Sequence, residues 1–116
     1  MIKHIVMWKL KNAKDVPRFV ELLSTCQALV PGMMEFEVAA ANAKLEANAD
    51  VVLYSVFANR SALNDYQDHP AHIKISTELG AMRDTRMVLD YEVGVSDSAH
   101  GPDTVASFPD TVHAGL

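Results

Sequence analysis

Residues Ile2 to Leu10 alternate as a β-strand does, with Ile2, His4, Val6, Trp8 and Leu10 on one face and Ile5 and Met7 on the other. Both faces are largely apolar. Asp50 to Phe57 repeats the pattern, since Val51, Val52, Leu53, Tyr54, Val56 and Phe57 leave hardly a polar side. Strands of this kind have to be covered twice, yet a chain of 116 residues builds one core, not two. That conflict narrows the folds open to it.

The rest of the pattern supplies the other elements. From Val16 to Val30 the residues Val16, Phe19, Val20, Leu23, Cys26 and Val30 step by three or four, an amphipathic helix that Asp15 and Pro17 open and Pro31-Gly32 closes. Met33 to Ala40 reads as a second strand, with Met34, Phe36, Val38 and Ala40 facing one way and Glu35 and Glu37 the other, as at a sheet edge. Ala41 to Ala49, rich in Ala and Asn, is read as a loop because strands flank it closely. Asn59 or Ser61 caps a short helix holding Leu63 and Tyr66. A longer helix opens at Pro70 and runs to about Met82 or Arg83, with Gly80 as the expected stop. Arg86 to Val93 forms the last strand, Met87, Leu89, Tyr91 and Val93 lying opposite Val88, Asp90 and Glu92.

Strand, helix, strand, strand, helix, strand, joined by right-handed crossovers, gives an α+β ferredoxin-like sandwich: four antiparallel strands ordered 4-1-3-2 with the helices on one face. The other face of the first and third strands then stays wet, several hundred Å² of apolar sheet that soluble monomers rarely expose. A second copy packed sheet to sheet about a two-fold axis removes it, so the expected assembly is a homodimer approaching a barrel, a dimeric α+β barrel. This domain covers residues 1–95. The tail over 96–116 changes character, with three Asp, two Pro and two Gly and no clear period. It is read as an arm that docks Phe108 on the body or on the other subunit. The tetrad Pro-Asp-Thr-Val recurs at Pro102 and Pro109, too little for a repeat architecture.

A net charge of −5, a pI near 5.4 and ten scattered basic residues argue against nucleic acid or an anionic membrane as partner. The single cysteine, Cys26, sits within an apolar helical pattern and suits a reducing compartment. Lys3, His4 and Lys9 interrupt the apolar start, so neither a signal peptide nor a membrane span is expected and the location is read as cytoplasmic.

The chemistry concentrates at Tyr66-Gln67-Asp68-His69-Pro70-Ala71-His72. Pro70 suits the first turn of a helix, with Asp68 or His69 as the cap. His72 shares a helical stripe with Ile75, Leu79 and Met82, so a titratable ring points inward. Near a helix N-terminus the macrodipole favours its neutral form, the one able to accept a proton. The competing reading makes His72 and Tyr66 core residues whose polar tips find backbone partners. His69 and His72, or His100 and His113 in the tail, offer too few ligands for a metal site, and His69 is expected to be exposed.

Met1 to Val6, Val30-Pro31-Gly32, the Tyr-x-x-His-Pro-x-His run at Tyr66 to His72 and the closing Val88 to Tyr91 together resemble the stress-responsive A/B barrel (Dabb) family, over roughly Met1 to Val95. The resemblance implies the dimeric α+β barrel reached above. The family includes a plant cyclase that closes a linear polyketide into olivetolic acid without a cofactor. By that resemblance His72 matches its base, Tyr66 its hydrogen-bonding partner and His4 a further active-site histidine. Two polar contributors of the cyclase are absent here, where Val51 and Leu23 stand, which points to a different proton transfer.

In the expected sheet His4 lies at the end where Phe57 and Tyr91 lie and where the 62–72 region begins, so His4, Tyr66 and His72 converge. Two imidazoles and a phenol around an apolar pocket suit aldol-type closure, enolisation or lactone isomerisation. No phosphate loop, nucleophile elbow or zinc quartet accompanies them. The expected function is a small cofactor-independent enzyme or ligand-binding protein acting on an apolar carbonyl compound. The alternative is a non-enzymatic stress-associated dimer in which the same residues are structural, and below it stands a cofactorless or haem-degrading monooxygenase. A void between His72, Tyr66 and His4 favours the first; close packing, with both histidines bonded to backbone, favours the second.

Overall fold

In the computed structural model, which describes residues 1–94, the chain folds as β1 (Ile2–Leu10), a 3₁₀ turn (Ala13–Asp15), α1 (Val16–Ser24), β2 (Met33–Ala40), β3 (Val51–Phe57), α2 (Arg60–Asp68), α3 (Pro70–Met82) and β4 (Arg83–Glu92). The arm expected over 96–116, with Phe108 and its two histidines, lies outside the described residues. The strands form one antiparallel sheet ordered β2-β3-β1-β4, the ferredoxin-like arrangement expected.

The pleat sorts β1 as its sequence requires. Ile2, His4, Val6, Trp8 and Leu10 are buried beneath the helices, opposite Phe57, Ser55, Leu53 and Val51 of β3. Two apolar clusters fill this layer. One joins Val6, Trp8, Leu10, Val51 and Leu53 of the sheet to Phe19, Leu22 and Leu23 of α1 and Leu79 of α3. The other joins Ile2 and Phe57 to Cys26, Val30, Ala62, Leu63 and Tyr66. The opposite face carries Ile5, Met7, Val52, Tyr54, Met87, Leu89 and Tyr91, and no element of the described residues lies over it. Met87 is 70% exposed, Leu89 63%, Tyr91 43% and Met7 41%. The two-sided oiliness of the sequence is thus a wet apolar sheet face in the single chain.

Several local expectations are corrected. The first helix ends at Ser24 rather than running to Val30. The Thr25 hydroxyl donates to the Leu22 carbonyl at 2.6 Å, and Cys26 and Gln27 amides bond three residues back, tightening the last turn. Ala28 then takes a left-handed φ of 60° that turns the chain out of the helix. Cys26 and Val30 stay buried, so their spacing marked the core without marking the helix. In β2 the register shifts between Met33 and Glu35; Met33 pairs with Phe57, and Met34 is bulged out and 57% exposed. Gly80 does not stop α3, which continues to Met82 and passes directly into β4, beginning at Arg83 rather than Arg86.

Other details follow from residue chemistry. The loop expected over residues 41–49 is present and takes in Asp50, since β3 begins at Val51; the Asn42 side chain accepts from the Lys44 amide and the Asp50 carboxylate from the Leu10 amide at 2.7 Å. Gly32 is needed for a close approach: a Cβ there would sit 2.4 Å from the Ala62 Cβ of α2. Among the described residues, no helix is long and apolar enough to cross a membrane.

Candidate active site

His72 owes its place to the start of α3. His69 caps that helix, its ring Nδ1 accepting from the Ala71 amide at 3.1 Å, and Pro70 fills the first turn. His69 is half-buried rather than exposed, and the cap occupies its Nδ1. The cap turns His72, Ile75 and Leu79 toward the sheet. Tyr66 arrives on α2, which Asn59 caps through the Ala62 amide, and is wholly buried. His4 comes from the inner face of β1.

The three residues converge. The Tyr66 and His72 rings lie edge to face with centroids 4.5 Å apart, and the His4 ring is 6.3 Å from that of Tyr66. Phe57 closes the far side, 5.1 Å from Tyr66 and 6.4 Å from His4. Between the two apolar clusters a cavity of about 270 Å³ remains, and His4, Tyr66 and His72 all line it, with Val6, Trp8 and Leu53 as its floor and Leu23, Ile75 and Leu79 as its roof. Arg83 and Arg86 stand where it meets β4, a strand exposed along its whole length.

Each polar group in the cavity has a distinct state. The Nδ1 of His72 is buried and has no hydrogen-bond partner among the described residues. Burial holds the His72 ring below the ordinary histidine range, with His4 acting the same way, the Gln67 backbone opposing them, and Arg86 and His69 adding to the depression. Neutral at physiological pH, His72 has a lone pair to offer. Burial raises the Tyr66 phenol far above its usual range, and its neighbour Cys26 adds to this, so Tyr66 stays protonated and can donate. The Cys26 thiol is itself pushed up by burial, against bonds to Tyr66 and Thr25, and is not a thiolate nucleophile.

Asp90 is the partner that pattern reading passed over. It sits opposite His4 in the β1–β4 register, and its Oδ1 accepts from His4 Nδ1. An ionised carboxylate can only accept, so the Nδ1 of His4 carries the proton of this bond. Asp90 looks like an edge-strand solubilising charge in the sequence; only the pairing of β4 with β1, rather than its own periodicity, could have revealed it. Ser55, also missed, is fully buried and donates to the His4 carbonyl at 3.0 Å, pinning the strand that carries the ring. No group of three or more metal-ligating side chains occurs among the described residues.

The comparisons with known proteins agree with this architecture. The model of the stress-responsive A/B barrel domain matches residues 2–93. Among solved structures, a dimeric ferredoxin-like protein from Bacteroides fragilis is 27% identical, with a TM-score of 0.67 over 79% of this chain and 95% of its own. A Dabb family protein from Mesorhizobium loti is 21% identical, with a TM-score of 0.67 over 81% of this chain and 97% of its own. A hydroxynitrile lyase from Passiflora edulis shares the fold at 17% identity, with a TM-score of 0.67 over 80% of this chain and 93% of its own. No curated protein sequence matches the chain. The family match spans every strand and helix described above, including the residues around the cavity, and the chain belongs to the stress-responsive A/B barrel domain family.

Proposed function

We propose that the protein is a homodimeric, cofactor-independent enzyme that moves a proton at a carbon beside a carbonyl group. The observation that carries this reading is the orphaned Nδ1 of His72, buried beside a cavity that Tyr66 and His4 also line. A buried nitrogen without a partner is costly, by about 1–3 kcal/mol, and one left open beside a cavity is a group that a ligand can satisfy. The contrasting reading, a structural dimer, requires close packing and two histidines bonded to backbone. The Gln67 backbone does bond to the His72 ring, but His4 bonds instead to a side chain, and a void remains.

In the proposed reaction the carbonyl oxygen accepts from the Tyr66 hydroxyl. Neutral His72 removes a proton from the adjacent carbon; that C–H pair becomes the C=C bond of an enolate, whose oxygen Tyr66 stabilises. The imidazolium then returns the proton to carbon, giving isomerisation, or, where the enolate carbon has attacked a second carbonyl of the same compound, to the oxygen that received that C=O π pair, giving closure. His4, oriented by Asp90, presents Nε2 as the second group able to hold a proton. Each well-placed acid or base contributes about 10²- to 10⁴-fold.

The dimer rests on the wet apolar sheet face and on relatives described as dimeric, the 27% identical Bacteroides fragilis protein among them. A single buried thiol fits a cytoplasmic setting. Deuterium uptake beside the carbonyls of 2-octanone and 4-oxooctanoate in heavy water, followed by proton NMR, tests the chemistry. Uptake with the native protein is expected to fall by about 10²-fold or more in His72→Ala. Absence of catalysed uptake, or equal uptake by the variant, contradicts the proposal.

A further inference from the structure

Resting on that proton-transfer reading, we infer that the natural substrate is a small oxo acid whose carboxylate is held by Arg83 and Arg86 while its carbonyl lies under Tyr66 and His72. The cavity wall is apolar over Val6, Trp8, Leu23, Leu53, Ile75 and Leu79, with Ser76 a small neutral exception, so a purely hydrophobic ligand would need no cations there. Two guanidiniums stand at one end of it nonetheless. Neither makes an ion pair among the described residues, although Arg18, on the exposed side of α1, makes two.

Their placement follows from the strand. Arg86 pairs with Trp8, and Arg83 with Leu10, residues of β1 that face the helices, so β4 delivers both to the inner side of the sheet. Asp90, farther along β4, is bonded to His4 and pairs with neither arginine. Both arginines are also exposed to solvent, which puts the bound anion at the mouth and the apolar body of the ligand inside. A planar guanidinium fork binds a carboxylate through two parallel hydrogen bonds, the geometry that a pair of lysines would not supply. A volume of about 270 Å³ lies below the usual range for drug-sized ligands and admits a short chain or a single ring. The proton-transfer step is unchanged; the arginines fix which end of the molecule enters first.

Calorimetric titration of 4-oxooctanoate and of its methyl ester, which differ in the charge at one end, tests the inference on the full chain. The native protein is expected to bind the acid about tenfold or more tightly than the ester. In Arg83→Gln/Arg86→Gln the two affinities are expected to converge through loss of acid binding, with the ester changed by no more than about twofold. Arg83→Lys/Arg86→Lys, which keeps the charge without the fork, is expected to restore part of the gap. Equal affinities in the native protein, or a gap that survives in the glutamine variant, overturns the assignment and leaves the proton-transfer reading standing. Binding of neither compound overturns both.

Discussion

The proposed chemistry depends on His72, and the environment of this residue has a thermodynamic signature. Burial makes the folded chain bind a proton there less readily than the unfolded chain, whose histidine titrates near 6.5. The contribution of this group to stability is therefore complete above that value. It is lost as pH falls below it and through the lowered value of the folded state. Urea midpoints measured between about pH 7.5 and about pH 5 should fall more steeply for the native protein than for His72→Gln; equal slopes would show that the ring is solvated. The same depression should keep the deuterium-uptake rate level below pH 6.5, where an ordinary histidine base would already be protonated. Asp90 makes a complementary case. Asp90→Asn can donate to His4 Nδ1 and so favours the wrong tautomer, and uptake should fall by about 10²-fold while the far-ultraviolet circular dichroism stays unchanged.

At the scale of elements, the site depends on how α2 and α3 meet the sheet. Gly32 lets the turn before β2 lie against Ala62, four residues from Tyr66 on α2. Gly32→Ala would push those two Cβ atoms to 2.4 Å and force the turn or the helix to shift. A loss of about 1–3 kcal/mol in denaturant unfolding is expected, as for other overpacked contacts; an unchanged midpoint would mean that the turn yields freely. The helices also show where periodicity misleads. Cys26 and Val30 continue the apolar spacing of α1 and are buried as it implies, yet they lie beyond the helix end, because a residue can reach the same core from a turn. Met34 fails for a related reason: a bulge displaces it and brings Met33 inward, and alternation cannot register an added residue. His72, by contrast, was legible from its stripe with Ile75 and Leu79, since α3 is regular over that span. Asp90 and the two cavity arginines were not, because what defines them is pairing across 86 residues of chain in one case and the edge of a cavity in the other.

At the scale of the molecule, the sheet serves two purposes on its two faces. The inner face, under three helices, holds the cavity and its histidines. The outer face, with Met7, Met87, Leu89 and Tyr91, is exposed apolar surface in the single chain, and the proposed homodimer covers it with a second copy. This division was readable from β1 and β3 because alternation fails in both, and a strand that is apolar on each side declares two neighbours whatever they are. Sedimentation equilibrium on the native protein from nanomolar to micromolar concentration, beside Leu89→Lys as a control, tests that division most directly. A mass twice the 12.7 kDa of the chain is expected at micromolar concentration, with dissociation or aggregation in the variant. A folded native species of 12.7 kDa across the whole range would contradict it.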